Sequence, residues 1–160
     1  MEPAVSAEQN DAYIKKLAEM PARMAEYLRG FADKTTTRIS PEDFSLTEHT
    51  CHLRDLEIEG YLTRIKRILA EENPSLPDFE GGRIAREREY NNQDANHALR
   101  DFTSARAESV RVLASLESAQ FEKTGNLDGV GNVSIQGLLH LMLEHDQDHV
   151  RQLEELAKHL

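Results

Sequence analysis

The stretch Ser134-Ile-Gln-Gly-Leu-Leu-His-Leu-Met-Leu-Glu-His145-Asp-Gln-Asp-His149-Val-Arg-Gln-Leu-Glu-Glu-Leu-Ala157 decides the fold. Its apolar residues Leu138, Leu141, Met142, Leu153 and Leu156 recur at helical steps, the pattern of a helix with one side turned to a core. His145 and His149 fall on that same stripe, so both imidazoles are expected to point inward. Their polar neighbours Glu144, Asp146, Gln147 and Asp148 fall mostly on the flanking or outer faces. Two inward imidazoles need partners, and ring nitrogens four residues apart on a helix can converge on one ion at about 2.0–2.1 Å.

Working outward from that helix, three more long segments carry apolar residues at helical rather than alternating spacing, so the fold class is all-α. The first runs from about Ala7 to Phe31, with a kink expected at Pro21 because proline removes an amide donor and clashes with the preceding turn. The second begins near Ser45, where Ser45-Leu-Thr-Glu48 matches a capping box, and persists to about Glu71 through Gly60. The third covers about Asp94 to Ser118, and Arg106 interrupts its apolar side, where a guanidinium demands a partner: it is a candidate substrate or structural anchor, with an intramolecular ion pair the favoured role. About twenty residues around Asn73-Pro-Ser-Leu-Pro77 and Gly81-Gly82 join the second and third segments, long for a compact domain. The expectation is a four-helix bundle with a long crossover connection, a single domain over residues 1–160. Gly125, Gly129 and Gly131 lack the strand and Gly-Lys-Ser/Thr ending of a phosphate cradle and read as turns.

Charge narrows the partners. Lys and Arg number 19 against 29 Asp and Glu, a net charge of -10, which repels phosphate backbones and anionic lipid. Nucleic acid and membrane are therefore not expected partners. The longest apolar runs, Gly137 to Leu139 and Leu141 to Leu143, fall far short of the roughly 20 residues of a membrane helix. With one cysteine, Cys51, and an N-terminal Met-Glu-Pro-Ala-Val-Ser lacking the features of a secretory signal, the expected address is the cytoplasm. Arg83, Arg86 and Arg88 make a local basic patch, with Glu87 and Glu89 favouring a solvated face.

A third ligand would settle whether the histidine pair binds metal. Counting 100° per residue from the stripe Ile58, Tyr61, Leu62, Ile65 and Leu69 puts His49 about opposite that face and His52 about 120° away. Cys51 lies near its centre, and Glu48 is another donor in reach. Spacing leaves the choice among these open.

The segment Phe44-Ser-Leu-Thr-Glu-His-Thr-Cys-His52-Leu-Arg-Asp55-Leu-Glu57, taken with His145-Asp-Gln-Asp-His149-Val-Arg-Gln152, resembles the DinB-like family of bacterial metal-binding four-helix proteins. The resemblance spans nearly the whole chain and departs at Phe44, where the family often has Trp. It implies an up-down-down-up bundle and a three-histidine site of His52, His145 and His149, open to water. It further implies one divalent ion, zinc, nickel or iron, with no preference legible among them. Related members include transferases and isomerases that use low-molecular-weight thiols, so thiol transfer to, or hydrolysis of, a small-molecule electrophile is the implied chemistry. The alternatives are a metal that only staples the bundle and a homodimeric interaction protein. No general base stands out: Glu48 and Asp55 flank His52 as possible outer partners or as ordinary surface charge, and Asp146 is one methylene shorter than the glutamate of His-Glu-x-x-His proteases.

Overall fold

The computed structural model describes residues 7–160, and Met1 to Ser6, read above for a secretory signal, lie outside the described residues. Helix α1 spans Ala7–Gly30. Helix α2, Leu46–Asp55, passes through a π-helical turn, Leu56–Tyr61, into α3, Leu62–Ala70, and the three form one rod. A short helix α4, Gly81–Glu87, lies in the long connection, followed by α5, Ala95–Ala114, and α6, Ile135–Ala157. Helix α1 runs through Pro21 without ending, and no described helix is long and apolar enough to cross a membrane.

The ends of these helices are set by side chains the sequence supplies. Ser45 Oγ accepts from the Glu48 amide at 3.1 Å while the Ser45 amide donates to Glu48 Oε1 at 3.1 Å, the reciprocal box expected at the start of α2. Asp94 caps α5 through the Asn96 and His97 amides, and Ser134 caps α6 through the Gly137 amide. Each such cap contributes about 1 kcal/mol by satisfying amides the helix leaves unpaired.

Helix direction follows from the contacts at one end of the bundle. Lys34, just past α1, donates to the backbone oxygen of Leu160, so α1 and α6 end together. The Thr47 amide donates to the Thr35 carbonyl, so α2 starts at that end. Asn91, just before α5, donates to the Thr36 carbonyl, so α5 starts there too. Two helices therefore point one way and two the other, with α2 and α5 parallel. Parallel neighbours cannot be joined by a tight turn, and the residues between α3 and α5 return along the length of the rod.

That connection is held at several points. Tyr90 Oη and Arg88 Nη1 donate to Asp55, and Arg88 also reaches Glu59. Of the basic patch, Arg83 is paired with Glu80 and Glu87, so it is largely neutralised locally. The connection also contributes strand β1, Ser75–Leu76, parallel to β2, Thr124–Leu127, which pairs antiparallel with β3, Gly131–Ser134. The glycine-rich stretch expected to be turns is thus a hairpin. Gly129 and Gly131 take φ of 78° and 99° at its tip, a region closed to most other residues. Strands this short carry too few side chains to show alternation.

Leu17, Ile65, Ile68, Ile135, Leu138, Leu139 and Met142 fill the core next to the sheet, and Met24, Leu46, Phe102, Leu153 and Leu156 fill the opposite end. Each such side chain contributes roughly 1.5–3 kcal/mol on leaving water.

Candidate metal centre

His52 comes from α2, and His145 and His149 from successive turns of α6. Their donor atoms all lie within 4.8 Å of one another. His145 Nε2 stands 3.3 Å from His52 Nε2 and 3.2 Å from His149 Nε2. Bonds of 2.0–2.1 Å to a tetrahedral ion separate two nitrogens by about 3.3–3.4 Å, so the spacing fits a first-row divalent ion. The Nδ1 atoms of His52 and His145 are buried with no hydrogen-bond partner among the described residues. A ring bound through Nε2 would keep its proton on Nδ1, and in His52 and His145 that proton has no acceptor among the described residues.

The surroundings favour the neutral form of all three rings. Burial is the first cause: it holds His52 down to about 3 and pushes His145 and His149 below the ordinary histidine value, with the mutual repulsion of neighbouring rings adding to it at His52 and His149. Neutral imidazole is the form that offers a lone pair to a cation. His52 is 8% and His149 5% exposed, whereas His145 is half-buried and marks the side of the site nearest solvent. Phe44 and Phe79 stand 5.7 and 6.0 Å from His52, ring centre to ring centre, and Tyr61 stands 6.2 Å from His145, so the wall is largely aromatic. Gly81 lies against His52 so closely that a Cβ there would sit 2.7 Å from His52 Cε1.

Several expectations need correction. His49, placed opposite the inward face by counting, is 2% exposed and its Nδ1 lies 2.8 Å from Nδ1 of His149. The counting ran backwards through the π-helical turn, which takes in one extra residue and shifts the phase by about 100°. Ile58, taken as inward, is 42% exposed for the same reason. In addition, Leu46 through Leu53 are all buried, so that half of the rod has no outer face to count from. The signal that could have found His49 is its three-residue spacing from His52, which makes the two rings neighbours on one helix.

The flanking carboxylates are neither ligand partners nor surface charge. Glu48 is held by Arg38 at 2.6 Å, and Asp55 by Arg54, Arg88 and Tyr90. Asp146, expected on a flanking or outer face, is buried and receives two bonds from Arg106, at 2.7 and 3.0 Å. Arg106 also donates to Glu57 at 2.9 Å and to the Leu17 carbonyl, and Ser109 donates to the other Glu57 oxygen. Burial opposes the charge on Arg106, yet Glu57 and Asp146 hold its pKa above the ordinary arginine value, which makes it the intramolecular anchor expected from the sequence. Cys51 points elsewhere: its Sγ faces the Tyr90 carbonyl, and burial pushes the thiol up to about 11. It is a buried neutral thiol and no member of the histidine cluster.

Known proteins are similar to this chain in sequence, and one solved structure shares its fold. A Bacillus subtilis protein named "Putative metal-dependent hydrolase YfiT" is 21% identical over 159 residues, covering 98% of this chain and 89% of that protein. A Bacillus cereus (strain AH820) protein, also named a "Putative metal-dependent hydrolase", is 23% identical and covers 98% of this chain and 90% of its own length. The solved structure of YfiT superposes with a TM-score of 0.89 at 20% identity, covering 99% of this chain and 93% of that one, and is described as having an unusual four-helix bundle topology. A model of the DinB superfamily matches residues 16–153. With that match over most of its length and the same bundle, this chain belongs to the DinB superfamily.

Proposed function

We propose that His52, His145 and His149 bind one divalent metal ion through their Nε2 atoms and that the protein is a metal-dependent enzyme acting on a small electrophilic substrate. The observation that carries this reading is that His145 Nε2 stands 3.3 Å from His52 Nε2 and 3.2 Å from His149 Nε2, with the donor atoms of all three residues within 4.8 Å of one another. The relatives named as metal-dependent hydrolases support it. An ion held by three neutral nitrogens keeps its full charge and acidifies whatever water or low-molecular-weight thiol reaches it.

The chain's own residues supply the rest. Burial favours the neutral, lone-pair-bearing form of the three imidazoles. Phe44, Phe79 and Tyr61 exclude bulk water on the walls, and the partly exposed His145 side leaves the approach for a small substrate. The carboxylates of Glu48, Asp55 and Asp146 are each engaged by an arginine, so none stands free as a proton acceptor. Hydrolysis or thiol transfer here therefore relies on the acidified nucleophile itself.

Protein purified without a histidine tag, incubated with zinc, nickel or ferrous iron and dialysed, is expected to retain about one ion per chain by elemental analysis. The loaded protein is then assayed against activated esters and amides, and against electrophiles with a panel of small thiols. Turnover that disappears in His149→Ala supports the enzyme. Retention of the ion with no turnover across the panel rejects catalysis and leaves a metal staple, a reading favoured by the committed carboxylates. No retained ion rejects both.

A further inference from the structure

His149 uses both ring nitrogens. Its Nε2 faces His145 Nε2 at 3.2 Å, and its Nδ1 faces His49 Nδ1 at 2.8 Å. The rings of His49 and His149 stand nearly perpendicular, at 87°, with centres 5.0 Å apart. Phe44 meets the His49 ring edge-on at 5.6 Å, and His49 is 2% exposed, so the imidazole is confined.

A contact of 2.8 Å between two nitrogens holds one proton between them. There are two ways to place it on neutral rings. If it sits on His49, the proton of His149 must be on Nε2, directed at the other ligands, and His149 has no lone pair for an ion. If it sits on His149, Nε2 of that residue is free and the His49 proton is on its own Nε2. Only the second arrangement is compatible with three Nε2 donors.

We propose that His49 is a positioning residue for the metal centre: its Nδ1 accepts the Nδ1 proton of His149, which fixes the tautomer and plane of that ligand. Metal-bound histidines are ordinarily steadied by such an outer hydrogen bond. Here His52 and His145 have none among the described residues, so His149 is the ligand through which the protein orients the set. The inference rests on the three-histidine reading of the site.

The test compares the unaltered protein with His49→Leu and His49→Asn, titrating each with zinc and with cobalt against a chromophoric chelator. Asparagine places its Oδ1 about where imidazole Nδ1 stands and can accept the same proton, whereas leucine fills the space without accepting. His49→Leu is expected to weaken ion binding 10–100-fold and to alter the visible bands of bound cobalt. His49→Asn is expected to restore most of the affinity and the original bands. Leucine binding as tightly as histidine overturns the proposal, as does asparagine binding as weakly as leucine, because shape alone would then account for the loss. Should His49→Leu fail to fold, nitrogen NMR of the zinc-loaded unaltered protein decides. Protons on His149 Nδ1 and His49 Nε2 support the proposal, and the reverse assignment overturns it. If the unaltered protein takes up no ion, the site reading falls and this inference with it. If it binds and His49→Leu binds equally well, only this inference falls.

Discussion

His145 and Asp146 are adjacent on α6, yet they enter two different buried clusters. Asp146 belongs to a set in which Arg106 is answered by two carboxylates and a carbonyl, and Glu57 by Arg106 and Ser109. His145 belongs to a set in which three nitrogens face one another and two more have no partner. The first cluster carries positive and negative charge that the chain itself supplies. The second carries lone pairs and no charge, and a cation is what would complete it. Burial of polar groups thus means opposite things a single residue apart: a lock of paired charges in one case and a set of uncharged ring nitrogens in the other.

The largest expected effect breaks the lock. Arg106→Leu leaves Glu57 and Asp146 buried without a counter-charge, at a cost of about 3–5 kcal/mol. Urea denaturation followed by circular dichroism reads this, either as a strongly lowered midpoint or as failure to fold. A loss well under 1 kcal/mol would mean that the cluster contributes nothing as a lock and would erase the contrast.

Completing the other cluster should stabilise. At free ion a hundredfold above its dissociation constant, binding to the folded chain alone adds about 2.7 kcal/mol, seen as a raised melting temperature. His149→Ala should abolish the rise. An equal rise in that variant would place the ion elsewhere.

A smaller effect comes from crowding a ligand without removing it. In Gly81→Ala the new methyl would meet His52 Cε1 at 2.7 Å and Nδ1 at 3.0 Å, so the ring or α4 has to shift. Ion affinity is expected to fall about tenfold, roughly 1.4 kcal/mol, with the urea midpoint of the metal-free protein little changed. Unaltered affinity would show that α4 gives way and that Gly81 has no part in placing His52.

The smallest effect per residue separates the clusters by pH. Burial holds His49 at about 4 and His52 at about 3, against 6.5 in an open chain. Below pH 6.5 the unfolded chain gains protons that the folded chain does not, so this contribution is complete above pH 6.5 and is lost on acidification toward the folded values. The expected loss is about 1 kcal/mol per histidine over the first unit below 6.5. Urea midpoints of metal-free protein at pH 7.5, 6.5 and 5.5 measure it, with a gentler slope for His49→Leu. A flat profile would mean that the rings are already solvated.

Much of this contrast is visible in the sequence, but unevenly. The helical period of Ser134 to Ala157 determined that His145 and His149 point inward, and the box at Ser45 determined where α2 begins, because both depend on neighbours within one turn. The resemblance to the DinB-like family singled out His52 from a set that spacing had left open. Arg106 in an apolar stripe announced its need for partners, although not which ones.

What only the tertiary structure decided lies wherever a residue's environment comes from a distant element. Asp146 and Glu57 are buried because Arg106 on α5 meets them, 40 and 49 positions away in the chain. His49 joins the centre because a π-helical turn rotates the start of the rod relative to its end. Strand β1 forms because the returning connection brings Ser75–Leu76 alongside Thr124–Leu127. Periodicity reports which way a side chain points from its own helix; what it meets there is fixed by the packing of the others.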